Sequence, residues 1–452
     1  MKTGIIKRAA AVLSCAAIML FSGCSETGLG DQTIMRPPRA TGDQAAIQKV
    51  ISDQAVGGYV LKYPENGEYR SAINIFKDSD GKEYAVALYS TENESKMKVS
   101  VILNDNNEWK CLGTLENTGV GIDRILFRDI NSDNHKEIFV GWSGYNSGIN
   151  TLSVYSLEND IVRDMVVNEN YTDIVITDIT GDKAEDILLL SLRNNQTPSS
   201  AKLLQYSDQE KKPIPKFSLD LDSEVTSFTS IQHGAIESGK EGIVIDGAKG
   251  AGQLTTQVIY YDPQAQALKN PLVTVNESGT YTNVTTRKDM ITSRDINGDG
   301  IIEIPVVTPM PAPTDTDAGE ICNMTAWKQI SSKDGTLKTK QNTIMNYTDG
   351  YYFIMPDRWN KNVTAKNDPA KRSLTFYIWS SKNSSLGDKL LTIRRYMKTE
   401  WNSGDHKGSV LLKTISNGEK EAVIAGELYE TKAMDSLNIK KDELESSVRL
   451  IN

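Results

Sequence analysis

Asp295, Asn297, Asp299 and Glu303 occupy places one, three, five and nine of the segment that begins at Asp295, with Gly298 and Gly300 between them. Oxygen donors at alternate places suit a divalent cation, above all calcium, which takes six to eight hard oxygens in a flexible shell. Such donors converge only where the backbone turns sharply, and the two glycines permit that turn. Ile301 would add a backbone carbonyl and Glu303 a closing carboxylate. The spacing is not that of an EF-hand, whose closing glutamate belongs at the twelfth place; Val306 stands there, and no helical pattern follows. The competing reading is a polar hairpin turn, because Asp, Asn and Gly form one without any metal.

The same ladder recurs. Asp129, Asn131, Asp133 and Glu137 precede Ile138, Phe139 and Val140, while Asp178, Thr180, Asp182 and Asp186 precede Ile187, Leu188 and Leu189. Two looser copies fall into register. One starts at Phe76 and keeps Asp78 and Asp80; the other starts at His233 and keeps Glu237 and Glu241. Both are expected to be turns without metal. The copies recur about every 50 to 60 residues, which signals a repeat architecture.

These loops need elements to hold them. Each ladder lies between a short strand that enters and an apolar strand that leaves, and a second hairpin follows. After the Asp129 ladder that hairpin turns at Glu158, Asn159 and Asp160. Four antiparallel strands per unit, without helices, is the content of a propeller blade. The expected fold is therefore mainly β: a small β-propeller of about five four-stranded blades, followed by a small α+β domain. A solenoid is the structural alternative, although its repeats are usually shorter. An ion held in such a hairpin would fix the loop and stabilise the blade without doing catalysis.

The three ladders and the apolar strands behind them resemble the FG-GAP/VCBS repeats of integrin-alpha-like β-propellers, and the resemblance spans residues 36 to 344. The stretch "RPPRATGDQAAIQKV", with "LKYPENGEYRSA" after it, is similar to the start of VCBS-repeat lipoproteins of Gram-positive bacteria. The family is defined by its repeat, so the resemblance implies a fold and calcium rather than an activity.

The chain opens with Lys2, Lys7 and Arg8, then an apolar run from Ala9 to Phe21, then Ser22, Gly23 and Cys24. A basic start, a short apolar core and small residues before a cut describe a secretory signal over residues 1–23. Cys24 after Leu20-Phe21-Ser22-Gly23 resembles a bacterial lipobox, with Phe21 where leucine is more usual. The resemblance implies a diacylglyceryl group on Cys24 and an extracytoplasmic protein anchored to the cell membrane through its lipid. An ordinary signal with an incidental cysteine is the alternative. Residues 24–46 are expected to be a flexible tether; Thr41 with Gln44 suggests a capping box, and Ile47, Val50 and Ile51 a helix to about Gln54. The propeller is assigned to 47–344.

A formal net charge of -9 argues against a nucleic-acid partner, since such proteins usually present a basic face. Cys111 and Cys322 are left to pair or to stand as separate buried thiols. In residues 345–452, "GYYFIMPDRW" opens a different pattern, which resembles small bacterial domains of the PsbP/Mog1 type. Trp359, Trp379 and Trp401 are read there as packing residues or a ligand groove.

Only three histidines are present, and no nucleophile elbow, HExxH motif, phosphate loop or CxxC occurs. The expected function is a binding or scaffolding module for a protein or glycan partner, with no catalytic residues. The alternative is a propeller-based lyase or glycoside hydrolase, which needs only carboxylates, tyrosine or arginine in a cleft. A helper that docks onto a membrane complex is a third reading. If the ladders join first and second strands, the connections from second to third strand lie at the other end of the blades, and variable loops on a rigid scaffold are where recognition resides. Trp142, Tyr145, Asn195, Lys249 and Asp315 are the candidates there, with Trp142 and Tyr145 as aromatic anchors.

Overall fold

A computed structural model describes residues 42–451, apart from 56, 92, 93, 95, 146, 147, 251, 418, 419 and 433. The signal segment, Cys24 and Thr41 therefore lie outside the described residues. Helix α1 (Asp43–Gln54) begins inside the stretch expected to be tether, and its N-cap is Gly42, without a side-chain capping bond. Among the described residues no helix is long and apolar enough to cross a membrane.

The chain divides into two compact units. The first comprises α1 and one antiparallel sheet of β1 (Tyr59–Leu61), β2 (Ile73–Lys77), β3 (Glu83–Thr91), β4 (Met97–Asp105) and β5 (Glu108–Asn117). Its order is β1-β3-β4-β5, and β2 shares with β1 the outer edge of β3. The helix puts Ile47 and Ile51 onto Ala85, Ala87, Tyr89, Ile102 and Trp109. The Trp109 indole donates to Asp43 at 3.2 Å, fixing the first turn of the helix to the sheet.

In the second unit, successive sheets follow the chain. One contains β6 (Gly121–Arg128), β7 (Glu137–Ser143), β8 (Asn150–Glu158), β9 (Ile161–Asp164) and β10 (Glu169–Tyr171), the last two side by side along β8. The next is β11 (Asp173–Thr177), β12 (Asp186–Ser191), β13 (Ser200–Ser207) and β14 (Lys212–Asp220), paired in that order. It is followed by β15 (Val225–Glu237), β16 (Lys240–Lys249), β17 (Gln253–Asp262) and β18 (Ala267–Lys269), again in sequence order. A small hairpin, β19 (Thr274–Val275) with β20 (Tyr281–Thr282), leads to a sheet of β21 (Ile304–Pro309), β22 (Asn323–Ile330), β23 (Leu337–Asn346) and β24 (Tyr351–Ile354). The fold is mainly β, and its successive four- and five-stranded antiparallel sheets have the strand order of propeller blades, as the repeat implied.

The apolar runs have a direct physical reason. Strand β12 is buried on both faces: Ile187 and Leu189 share a core with Phe139 and Val154, while Leu188 and Leu190 share another with Ile243 and Ile245. A strand covered on both sides loses the usual polar alternation. The next core repeats the arrangement, joining Val244 and Val258 to Ile302, Ile304 and Ile330.

The remaining chain forms β25 (Val363–Asp368), β26 (Ser373–Ser380), β27 (Ser385–Met397), α2 (Lys398–Ser403), β28 (Ser409–Asn417), β29 (Lys420–Leu428), α3 (Lys441–Ser447) and β30 (Val448–Leu450). Five of these strands make one sheet, ordered β25-β26-β27-β29-β28, but β30 joins β24 at the edge of the preceding sheet. The boundary expected after residue 344 falls inside β23. Trp359 is a core residue, fully buried against Phe353 and Phe376, with its indole donating to the Leu437 carbonyl at 2.8 Å. Trp401 stacks on His406 with ring centroids 4.1 Å apart. Cys111 and Cys322 are free thiols, and burial pushes the Cys322 thiol up to about 12.

Candidate metal centre

The three full ladders sit in the hairpins β6–β7 and β11–β12 and in the turn that enters β21. Their backbones bend alike. Places four and six have positive φ in every copy: Gly298 and Gly300 at 81° and 82°, Gly181 and Lys183 at 80° and 77°, Ser132 and Asn134 at 59° and 67°. The glycines therefore ease the turn without being required for it; Ser132 and Asn134 reach the same left-handed region, where Asn is tolerated best among larger residues. The side chain at place one ties the loop together. Asp295 accepts from the amides of Gly298 and Gly300 at 2.7 and 2.8 Å, and Asp178 from Gly181 and Lys183 at 2.6 and 2.9 Å. Asp129 accepts from Asn134 at 3.0 Å, while its other oxygen, Oδ1, is buried without a partner.

Place nine closes each loop from below. Glu303 accepts from the Ile296 amide at 3.0 Å, Glu137 from Ile130 at 3.0 Å, and Asp186 from Ile179 and Thr180 at 2.9 and 3.0 Å. In the Asp295 ladder, oxygens of Asp295, Asp299 and Glu303 all lie within 4.8 Å of one another, a cluster able to hold a metal ion. Asn297 stands among them with its amide nitrogen 3.1 Å from both Asp299 and Glu303. Asn131 does the same in its loop, 3.0 Å from Asp133 and from Glu137. The Ile301 amide donates to Asp299 at 2.9 Å.

The charges feel their confinement. Burial pushes the Glu137 carboxyl up to about 8, against the Ile130 amide bond and with help from Asp133 and Asp129. Glu303 and Asp186 are also raised, chiefly by burial. Burial likewise pushes Asp299 up, but bonds from Ile301, Gln329 and Asn297 more than offset it and hold that carboxyl below the usual range.

Sequence reasoning missed three residues of the site. Gln205 on β13 donates to Asp186 at 2.8 Å and to Thr180 at 3.2 Å. Gln329 on β22 donates to Asp299 and Glu303 at 2.8 and 2.7 Å. Ser156 on β8 holds the matching place beside the Asp129 ladder. They belong to no motif, and only the register of the third strand against the second points to them.

The looser copies differ from the ladders. Around His233 the chain simply continues as strand, with Ala235 opposite Glu241 and a tight turn after Glu237. Glu237 instead accepts from the Ser332 amide and hydroxyl at 2.9 and 2.6 Å. Asp78 accepts from the Lys136 amide at 3.2 Å and lies 2.7 Å from His135 Nδ1, a contact that raises the histidine pKa.

At the other end of the sheets the expected ligand residues separate. Trp142 is 1% exposed, and its indole donates to Ser153 at 3.1 Å, so it packs the blade and is no surface anchor. Lys249 is buried as well, held by Asp222 at 2.8 Å and Glu224 at 3.1 Å; its charge is already matched within the chain. Tyr145, Asn195 and Asp315 are exposed. Asn195 lines a cleft of about 630 Å³ together with Asn168, Asn170, Asn194, Gln196 and Lys202.

No protein-family model matches the chain, and no curated protein is significantly similar to it. Among solved structures, a protein from Lactobacillus plantarum aligns with 70% of this chain and 83% of its own, at 13% identity and a TM-score of 0.30. Sqt1 from Chaetomium thermophilum covers 83% of this chain and 99% of its own, at 8% identity and a TM-score of 0.30. An alpha-L-arabinofuranosidase from Fusarium graminearum, in complex with an iminosugar inhibitor, covers 64% and 98%, at 10% identity and a TM-score of 0.25.

Proposed function

We propose that this chain is a calcium-stabilised binding module of the FG-GAP/VCBS type, lipid-anchored outside the cell through Cys24, whose ligand is a polyhydroxylated glycan chain. The amide-rich cleft carries the ligand assignment. Asn168, Asn170, Asn194, Asn195 and Gln196 gather around it at the end of the sheets away from the ladders. A carboxamide offers two donors and an acceptor, which matches the paired donor and acceptor character of sugar hydroxyls better than charged side chains do. The side-chain oxygen of Asn194, Oδ1, accepts from the Gln196 and Thr197 backbone amides at 2.8 and 2.9 Å, so the loop that presents Asn195 is already ordered.

Calcium supports this reading from the opposite end. The residues present fit the ion: three carboxylates converge at one point in the Asp295 ladder, and hard oxygens are what calcium takes. When bound, the ion would neutralise Asp295, Asp299 and Glu303 and hold the hairpin. A ligand that binds only the folded state stabilises by RT ln(1 + [L]/Kd), about 2.7 kcal/mol at a hundredfold excess.

The experiment is a glycan panel probed with the delipidated mature chain, alongside thermal melts in calcium and in chelator. We expect retention of a subset of glycans, lost on Asn195→Ala with Gln196→Ala, and a higher Tm in calcium. No glycan retained, with a protein captured through the same two residues, would replace the ligand class. Identical melts in calcium and chelator would remove the metal.

A further inference from the structure

In each ladder the last carboxylate faces a residue of the third strand. The pair Ile187 and Leu204 sets Gln205 opposite Asp186, and the pair Ile304 and Lys328 sets Gln329 opposite Glu303. The pair Ile138 and Tyr155 likewise sets Ser156 opposite Glu137. Directly opposed residues of antiparallel strands project from the same face, so all three side chains are aimed at the carboxylates.

What they do there differs. The Gln329 amide nitrogen stands between Asp299 and Glu303, and the Gln205 nitrogen between Asp186 at 2.8 Å and Asp182 at 3.4 Å. Each amide offers two N–H groups to oxygens that would otherwise repel one another, and hydrogen bonds to charged acceptors are the stronger ones. The arrangement imitates a cation from within the chain. Ser156 is too short to do so. It is 4% exposed, its hydroxyl has no hydrogen-bond partner, and Asp129 Oδ1 in the same hairpin has none either. Buried polar groups are almost always paired with protein, water or an ion.

We propose that the third-strand residue decides how far each hairpin depends on a bound cation: Gln205 and Gln329 make their loops largely self-sufficient, and Ser156 makes the Asp129–Glu137 hairpin the cation-dependent one. The inference rests on the reading that the ladders bind a divalent cation. It also sets the dependence apart from the Asp295 ladder, where the carboxylate oxygens gather.

Amide hydrogen exchange of the mature chain, in calcium chloride and in chelator, tests it. Chelation should speed exchange across residues 129–137 by about tenfold or more and across 295–303 by no more than about twofold, since exchange reads local opening. Exchanging the residues should exchange the behaviour: Ser156→Gln makes the first hairpin indifferent to chelator, and Gln329→Ser makes the other sensitive. The comparison within the unaltered chain decides the matter even if a variant fails to fold. Equal sensitivity at the two hairpins, or loss of calcium binding at 295–303 in Gln329→Ser, would overturn the rule while leaving the cation reading intact. No calcium effect at any hairpin would remove that reading as well.

Discussion

At the ladder end of the sheets, carboxylates approach one another and are met by amides: Asn297 and Gln329 reach Asp299 and Glu303, and Gln205 reaches Asp186. At the opposite end, aspartates are buried against cations of the chain's own. Asp123 accepts from Arg124 at 2.6 Å, Asp222 from Lys249 at 2.8 Å, and Asp246 from Arg287 at 2.8 Å. One residue type serves two purposes. Where a basic side chain stands beside it, the aspartate is a fixed part of the frame, and no ion from solution has anything to add. Where only neutral donors stand beside them, the carboxylates keep their net charge, and the residue facing them from the third strand decides how far the loop needs an ion to match it.

The comparison breaks first at Asp246, where the largest effect is expected. Asp246 and Arg287 are both fully buried, and Asp246 also accepts from Thr256 at 2.6 Å and from the Ser293 amide at 2.7 Å. Asp246→Ala leaves the guanidinium with neutral acceptors only, among them the Ile291 and Thr285 carbonyls. Removing one partner of a buried pair costs about 3–5 kcal/mol because the other charge stays behind. Denaturant unfolding should show that loss equally in calcium and in chelator, whereas Asp129→Ala, which removes the unpartnered oxygen of the cation-dependent hairpin, should lower chiefly the increment that calcium adds. A calcium-dependent loss from Asp246→Ala would erase the distinction between the two ends.

How much of this was legible follows from sequence distance. The ladders and the apolar strands behind them are local, so the hairpins and the β content of the blades could be read directly. The partners could not. Gln329 lies 26 residues from Glu303 and Arg287 lies 41 from Asp246, and neither spacing is a motif. Trp142 and Lys249 were misplaced because they sit at or beside the end of a strand: exposed chain begins at Tyr145 and at Gly250, but Trp142 and Lys249 are themselves buried. The pairing of β30 was equally out of reach. β30, almost a hundred residues after β24 on the order of a small domain's length, returns to pair with it, with Val448 opposite Phe353.

A smaller effect is expected at Gly141, which has ordinary backbone geometry and is fixed by what lies against it. A Cβ there would run into the Tyr171 hydroxyl and crowd Arg124 and Asp123. That hydroxyl donates to Asp123 at 2.6 Å. Overpacking of this kind costs about 1–3 kcal/mol. The sharper test is a cycle. In a Tyr171→Phe background the added methyl meets no hydroxyl, so Gly141→Ala should cost less there than in the unaltered chain, and contacting residues are where such coupling appears. Additive losses would mean that the glycine answers to something other than the tyrosine.

The smallest effect on stability belongs to Tyr145, and it separates frame from recognition at the same end of the sheet. Trp142 and Tyr145 lie three residues apart and resemble each other in sequence, yet one is 1% and the other 79% exposed. An exposed side chain away from caps, cores and ion pairs usually changes stability by no more than about 0.5 kcal/mol when truncated. Tyr145→Ala should therefore leave the denaturation midpoint unchanged. An exposed aromatic is also where a binding surface gains most from one side chain, and Ile149 of the same connection lines the amide-rich cleft, so the same variant should weaken retention of any glycan held there. Reduced stability with unchanged binding would make Tyr145 part of the frame after all, and would confine recognition to the amides around Asn195.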